Sequence, residues 1–312
     1  MSTSRREFLT TAGIVALSAY ALGQDKKPEA KSGGDKPAVP KALPFKISLA
    51  EWSYHESLFK RKLDHKDFAK LAKQDHQIEA VEYVNTFFKD KAEDAAYLKE
   101  IKNRADDFGV RILLIMCDAE GDLGAAEKAK RTEAVDNHKK WLSAAHALGC
   151  HSIRVNAYGT GTPEEHAAQV AESMHALALL ADPMNLNVII ENHGGRSSDG
   201  QWLTSVMKKA DHPRVGTLPD FGNFRIDDTT VYDRYKGVAE MMPYAKAVSA
   251  KCYDFDDKGE ETKIDFHKMM KIVVGAGYHG HLGIEYEGTR LSEKEGVNAM
   301  KALLERVRGE LS

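Results

Sequence analysis

The chain has 312 residues, 42% of them hydrophobic, which is long and apolar enough for one full-sized buried core. Its net charge of −3 provides no basic surface of the kind that nucleic acid or an anionic membrane would require. Three cysteines, Cys117, Cys150 and Cys252, form no CxxC pair, so a zinc ribbon and a disulfide scaffold are excluded and each reads as a small buried hydrophobe.

Ser4-Arg5-Arg6-Glu7-Phe8-Leu9 is similar to a twin-arginine export signal, and an apolar run from Thr11 to Leu22 follows it. Ala19-Tyr20-Ala21 supplies small residues for a cleavage site. Residues 1–22 therefore read as a leader that directs the protein to the periplasm, and the run is too short for a stable membrane span after cleavage. Residues 23–44, rich in Lys, Pro, Gly, Ala and Asp, read as a flexible linker.

From residue 45 onward short apolar segments alternate with longer amphipathic ones, the pattern of repeated β/α units. Strands are expected at 45–52, 78–84, 110–117, 151–157, 187–192, 215–221, 247–253 and 281–287. Helices are expected at 92–108, 123–148, 163–182, 199–210, 265–275 and 292–310. Thr162-Pro163-Glu164-Glu165 has the residues of a helix N-terminus, and Gly109, Gly149 and Gly277 stand where a helix C-terminus needs positive φ. Eight strands with no glycine-rich phosphate loop after the first predict a (β/α)8 TIM barrel, a single domain over 45–312, rather than an open doubly wound sheet.

Three acidic residues end apolar strands in the second half: Glu191 in VIIENHGG, Asp220 in TLPDFGNF and Glu285 in LGIEYEG. Strand C-termini are where such a barrel keeps its chemistry. Three carboxylates meeting at one mouth repel one another unless a cation or shared protons hold them together, so they read as a metal site.

The segments IIENHGG, LPDFGNF, SAKCYDFD and GIEYEG, in that order on the last four strands, resemble the xylose isomerase-like TIM barrel superfamily over roughly residues 45–310. That group holds sugar phosphate isomerases/epimerases, ketose 3-epimerases, inosose dehydratases and the endonuclease IV branch. The resemblance implies a divalent cation (Mn2+, Mg2+, Co2+ or Zn2+) held by Glu191, Asp220 and Glu285. It also implies a strand-seven histidine, and here the chain departs from the pattern, with Ser249 at that position and Lys251 matching the family lysine. Water or His193, which shares a strand face with Glu191, is left as the fourth ligand.

Lys251, expected inside the barrel, reads as a partner for the carboxylates, a substrate ligand or, with a depressed pKa, a proton carrier. Asn223 falls where the epimerases carry a substrate-binding histidine. Glu287 reads as a ligand for sugar hydroxyls or as an ion-pair partner of Arg290. Trp52, Glu82, Arg154 and Asn156, at strand ends in the first half, complete the substrate-binding candidates. His138, His146, His166 and His175 on helices, with His279 and His281 before the last strand, are expected outside the site.

The resemblance implies a metal-dependent sugar isomerase or epimerase working through an enediolate, with Glu191 and Glu285 as base and acid. A lyase, dehydratase or hydratase on keto-sugars, keto-glycosides or inositols is the alternative, since both begin with the same proton abstraction. A carbohydrate-binding barrel that has lost catalysis is the non-enzymatic reading. The expected partner is a small sugar or sugar derivative, with nucleic acid excluded by charge and a homo-oligomer left open.

Overall fold

A computed structural model describes residues 43–312. The leader at 1–22 and nearly all of the linker at 23–44 lie outside the described residues. The strands are β1 (Lys46–Ala50), β2 (Ala80–Val84), β3 (Arg111–Met116), β4 (Ser152–Val155), β5 (Asn187–Glu191), β6 (Val215–Leu218), β7 (Val248–Cys252) and β8 (His281–Tyr286). Helices α1 (His55–Phe59) and α2 (Phe68–His76) lie between the first two strands. They are followed by α3 (Ala95–Asp107), α4 (Lys128–Leu148), α5 (Pro163–Ala181), α6 (Gly200–Ala210), α7 (Arg234–Met241), α8 (Phe266–Gly275) and α9 (Glu293–Glu310).

Every strand pairing is parallel, in the order β6-β5-β4-β3-β2-β1-β8-β7. Two isolated parallel bridges, Thr217 with Ala245 and Asp220 with Ser249, join the ends of that series. The sheet thus closes on itself as a (β/α)8 barrel. Among the described residues no helix is long and apolar enough to cross a membrane.

Two cores follow from the two-residue period of the strands. Ala50, Val84, Leu114, Met116, Ile189, Leu218 and Ala247 fill the barrel interior. Their neighbours Val81, Ile115, Ile153, Val188, Ile190, Val248 and Ile284 face outward into the layer shared with the helices. With both faces buried, the strands read in sequence as unbroken apolar runs, which made all eight visible. Cys117, Cys150 and Cys252 are buried free thiols.

Local signals place the helices around this barrel. Thr162 and Glu165 form a reciprocal capping box with Pro163 in the first turn of α5. Gly109, Gly149 and Gly277 all have positive φ, which costs glycine nothing. Three helices, the short α1 together with α2 and α7, were not among those expected. The left-handed residue that ends α2 is Gln77 rather than glycine, and α7 has only eight residues with Gly237 inside it.

Glu82 lies deep in the interior, 1% exposed, and accepts a 2.7 Å hydrogen bond from Ser48. Ser48 is in register with Gly283 on β8, where a Cβ would come within 2.6 Å of the Glu82 carboxyl group. Burial, against the lesser opposing effect of Ser48, pushes the Glu82 pKa up to about 8, and Glu285 and Glu191 add to the rise. Its contacts are thus with the barrel floor, beneath the groups at the mouth.

A raised folded-state pKa means that Glu82 contributes most at pH values below the usual carboxylate range. That contribution is lost progressively as pH rises from about 4.5 to about 8. Glu82→Gln should therefore gain stability relative to the parent protein between pH 5 and pH 8. Urea unfolding midpoints across that range would show it, and a gap independent of pH would contradict the assignment.

Candidate active site

The C-terminal ends of β5 to β8 bring the three predicted carboxylates together. One carboxylate oxygen from each of Glu191, Asp220 and Glu285 lies within 4.8 Å of the others, and the three residues are 1%, 0% and 4% exposed. His193 does not join this group. Its Nδ1 instead meets the Tyr158 hydroxyl at 2.9 Å. Burial, reinforced by Arg154 and Lys251, lowers the His193 pKa.

Short-range sequence fixes two of the carboxylates. Asp220 Oδ1 accepts from the backbone N–H groups of Gly222 and Asn223, both at 2.7 Å, so DFGN folds as a turn around its own aspartate. Asn192, between Glu191 and His193, points away from the interior. Its side chain accepts from the Asp220 N–H at 2.7 Å and donates to the carbonyls of Asp220 and Asn223. The β5 end therefore holds the turn that follows β6. Asn223 completes the link by donating to Glu191 Oε1 at 3.2 Å.

Two cations flank the cluster. Arg154 Nε lies 2.8 Å from Glu191 Oε2, and its Nη1 donates to Asp118 Oδ1 at 2.7 Å and to Asn156 Oδ1 at 3.3 Å. Asn156 also donates to Asp118 at 2.7 Å. Lys251 Nζ lies 3.0 Å from Glu285, 3.3 Å from Glu287 and 3.9 Å from Asp220. Gly222 makes room for it, since a Cβ there would come within 2.8 Å of the lysine stem. Glu287 accepts from the Trp52 indole N–H at 2.6 Å, whereas Arg290 pairs with Asp254 rather than with Glu287 as the sequence had suggested.

These contacts set the charges. Burial pushes Glu191 up to about 7 against the pull of Arg154, and it pushes Asp220 up to about 7 against that of Lys251. Burial raises Glu285 too, but Lys251, with help from Ser249, more than reverses the effect and leaves its pKa lowered. Burial also opposes charge on Lys251, but Glu285, Asp220 and Glu287 raise its pKa well above the ordinary lysine value. The surrounding carboxylates thus favour the ammonium form of Lys251.

The donor set fits a divalent cation. Ser249 Oγ lies 2.8 Å from Asp220 Oδ2 and 2.9 Å from Glu285 Oε2, yet a hydroxyl has one proton to give. One of those carboxylate oxygens therefore faces it without a hydrogen. Glu191 Oε2 is buried without a hydrogen bond, because its approach to Arg154 is ionic and poorly aligned. Five carboxyl groups gather around two cations, an excess that a metal ion would offset. Asp118, Asn192 and Tyr158 had not been singled out, and Ser249 only as the residue at the strand-seven ligand position. The one-residue offset of Asn192 from Glu191 was the only signal for any of the first three.

The sequence model of the xylose isomerase-like TIM barrel family matches residues 70–307. The chain belongs to that family. The C-glycoside deglycosidase alpha subunit of Arthrobacter globiformis is 34% identical over 65 residues, 20% of this chain and 18% of that protein. The chain's match thus spans under a fifth of the length of that relative. The 3'-dehydrocarminate deglycosidase alpha subunit of a Microbacterium species is 20% identical over 291 residues, covering 69% of this chain and 81% of that protein. Among solved structures, 3-keto-D-glucoside 4-epimerase from E. coli superposes with a TM-score of 0.63 at 14% identity, covering 84% of this chain and 99% of that one. At that identity the likeness establishes the barrel architecture.

Replacing Lys251 with Met leaves the buried carboxylates of Asp220 and Glu285, and the half-buried one of Glu287, without their ammonium, which should cost roughly 3–5 kcal/mol in metal-free protein. Mn2+ should recover most of that loss. Thermal unfolding in EDTA and in Mn2+ measures both effects, and a loss insensitive to metal would show that the cluster does not hold cations.

Proposed function

We propose that this chain is a divalent-metal-dependent enzyme that removes the proton next to the carbonyl of a keto-sugar or keto-glycoside and returns it to give the epimer. The observation that carries this reading is the meeting of Glu191, Asp220 and Glu285 within 4.8 Å in a buried pocket flanked by Arg154 and Lys251. A divalent cation held there supplies Lewis acidity toward the substrate's carbonyl oxygen. The oxygen-only donor set suits Mn2+ or Mg2+ better than Zn2+ or Co2+.

Glu191 is the base, because its Oε2 is free of hydrogen bonds whereas both oxygens of Glu285 are engaged. The C–H bond breaks toward Glu191, its electron pair forms the new C=C bond, and the carbonyl π pair moves onto oxygen. Lys251 and Arg154 stabilise the added negative charge without changing protonation state. Glu285, ionised at rest beside Lys251, takes up a proton from solvent and delivers it to the other face, and Glu191 releases the proton it took, which completes an epimerisation. His193 and Tyr158, joined at 2.9 Å, stand at the rim as ligands for substrate hydroxyls.

A second reading is favoured by the two deglycosidase relatives. From the same enolate, departure of a β-oxygen substituent gives an enone and a free alcohol. The leader expected at 1–22 places the mature protein in the periplasm and favours free keto-sugars or glycosides over sugar phosphates.

Incubation of the Mn2+-loaded protein with methyl 3-keto-glucoside in D2O should place deuterium on a carbon next to the carbonyl. A new epimer or released methanol then separates the two outcomes. EDTA should abolish exchange and Mn2+ restore it. Glu191→Gln and Glu285→Gln should each lower the rate by about 10²–10⁴-fold with unchanged circular dichroism. Exchange that proceeds equally without metal, or in both variants, would rule the mechanism out.

A further inference from the structure

The barrel mouth carries an apolar rim that proton transfer does not use. Phe59, at the end of α1, is 57% exposed although it is a large aromatic side chain. Its ring lies 5.2 Å from Phe87, in the turn directly after β2, and 6.0 Å from Trp52, directly after β1. Trp52 and Phe87 are half-buried and pack on the interior cluster. His55 stacks on the indole at 5.0 Å and 13°, covering one of its faces. The open ring surface is therefore that of Phe59 and Phe87, with Trp52 behind them.

This rim is continuous with the carboxylate site. The Trp52 indole N–H donates to Glu287, Glu287 meets Lys251 at 3.3 Å, and Lys251 meets Glu285 at 3.0 Å. A sugar ring over the carboxylates would thus have any substituent leaving toward β1 and β2 laid against aromatic carbon. Exposed aromatic surface beside a buried polar site marks a binding surface more often than a packing fault.

We propose that Phe59 and Phe87 form a subsite for a planar, apolar aglycone, so that the substrate class is an aryl glycoside of a keto-sugar. This rests on the keto-sugar reading above and narrows it. Ring stacking of this kind discriminates by about tenfold between an aryl and a methyl aglycone.

The test uses calorimetric binding of 4-nitrophenyl and methyl 3-keto-glucoside to the Mn2+-loaded full chain. Comparison is made with Phe59→Ser, which removes the ring, and Phe59→Tyr, which keeps it. The parent and Phe59→Tyr should prefer the aryl glycoside by about tenfold, whereas Phe59→Ser should bind both alike with its affinity for the methyl glycoside unchanged. Equal binding of both probes by the parent, or of neither, overturns the proposal, as does an aryl preference that survives in Phe59→Ser. A parent dimer that Phe59→Ser converts to monomer in sedimentation also overturns it, by assigning the rim to a second copy. Differential binding without proton exchange would sink the enolate mechanism alone.

Discussion

Carboxylate repulsion is the constraint around which the mouth of this barrel is organised. Oxygens of Glu191, Asp220 and Glu285 within 4.8 Å of one another repel by at least roughly 3 kcal/mol per ionised pair at an effective dielectric of about 20. A closed parallel barrel imposes the convergence, because residues of one parity on neighbouring strands must point to the axis. Arg154 and Lys251 share that parity, the first arriving from β4 beside the cluster and the second from β7, between the strands that carry Asp220 and Glu285. The fold therefore supplies the problem and most of its compensation through the same geometry.

Beyond the two cations, the support is local and polar. Asp220 is held by two backbone N–H groups of its own turn, and that turn is held by Asn192 from the preceding strand. Asp118 and Asn156 fix the guanidinium of Arg154. Burial still wins at Glu191 and Asp220, whose pKa values rise to about 7, while Glu285 remains ionised beside Lys251. The three carboxylates are thus chemically unequal although they are close neighbours.

What could be read without coordinates follows from which interactions are periodic. Strands buried on both faces announce themselves as apolar runs, and a charged residue interrupting such a run at its end marks the mouth. Glu191, Asp220, Lys251 and Glu285 were visible for that reason. Pairings across strands carry no such mark. Nothing in the order of residues says that the Ser249 hydroxyl bonds Asp220 and Glu285, that Asp118 meets Arg154, or that Glu287 chooses Lys251 and Trp52 over Arg290. His193 illustrates the limit from the other side. It has the correct strand face for a ligand, yet Tyr158, on the loop after β4, engages it instead.

The join between β6 and β7 gives the site a mechanical meaning. Only a few main-chain bonds, among them Ser249 N–H to Pro219 and Phe221 N–H to Ser249, close the cylinder there, whereas β7 and β8 run in register over five residue pairs. The Ser249 hydroxyl and the oxygens of Asp220 and Glu285 lie directly across that thin join. A cation held among them would therefore also act as a clasp along the weakest edge of the cylinder.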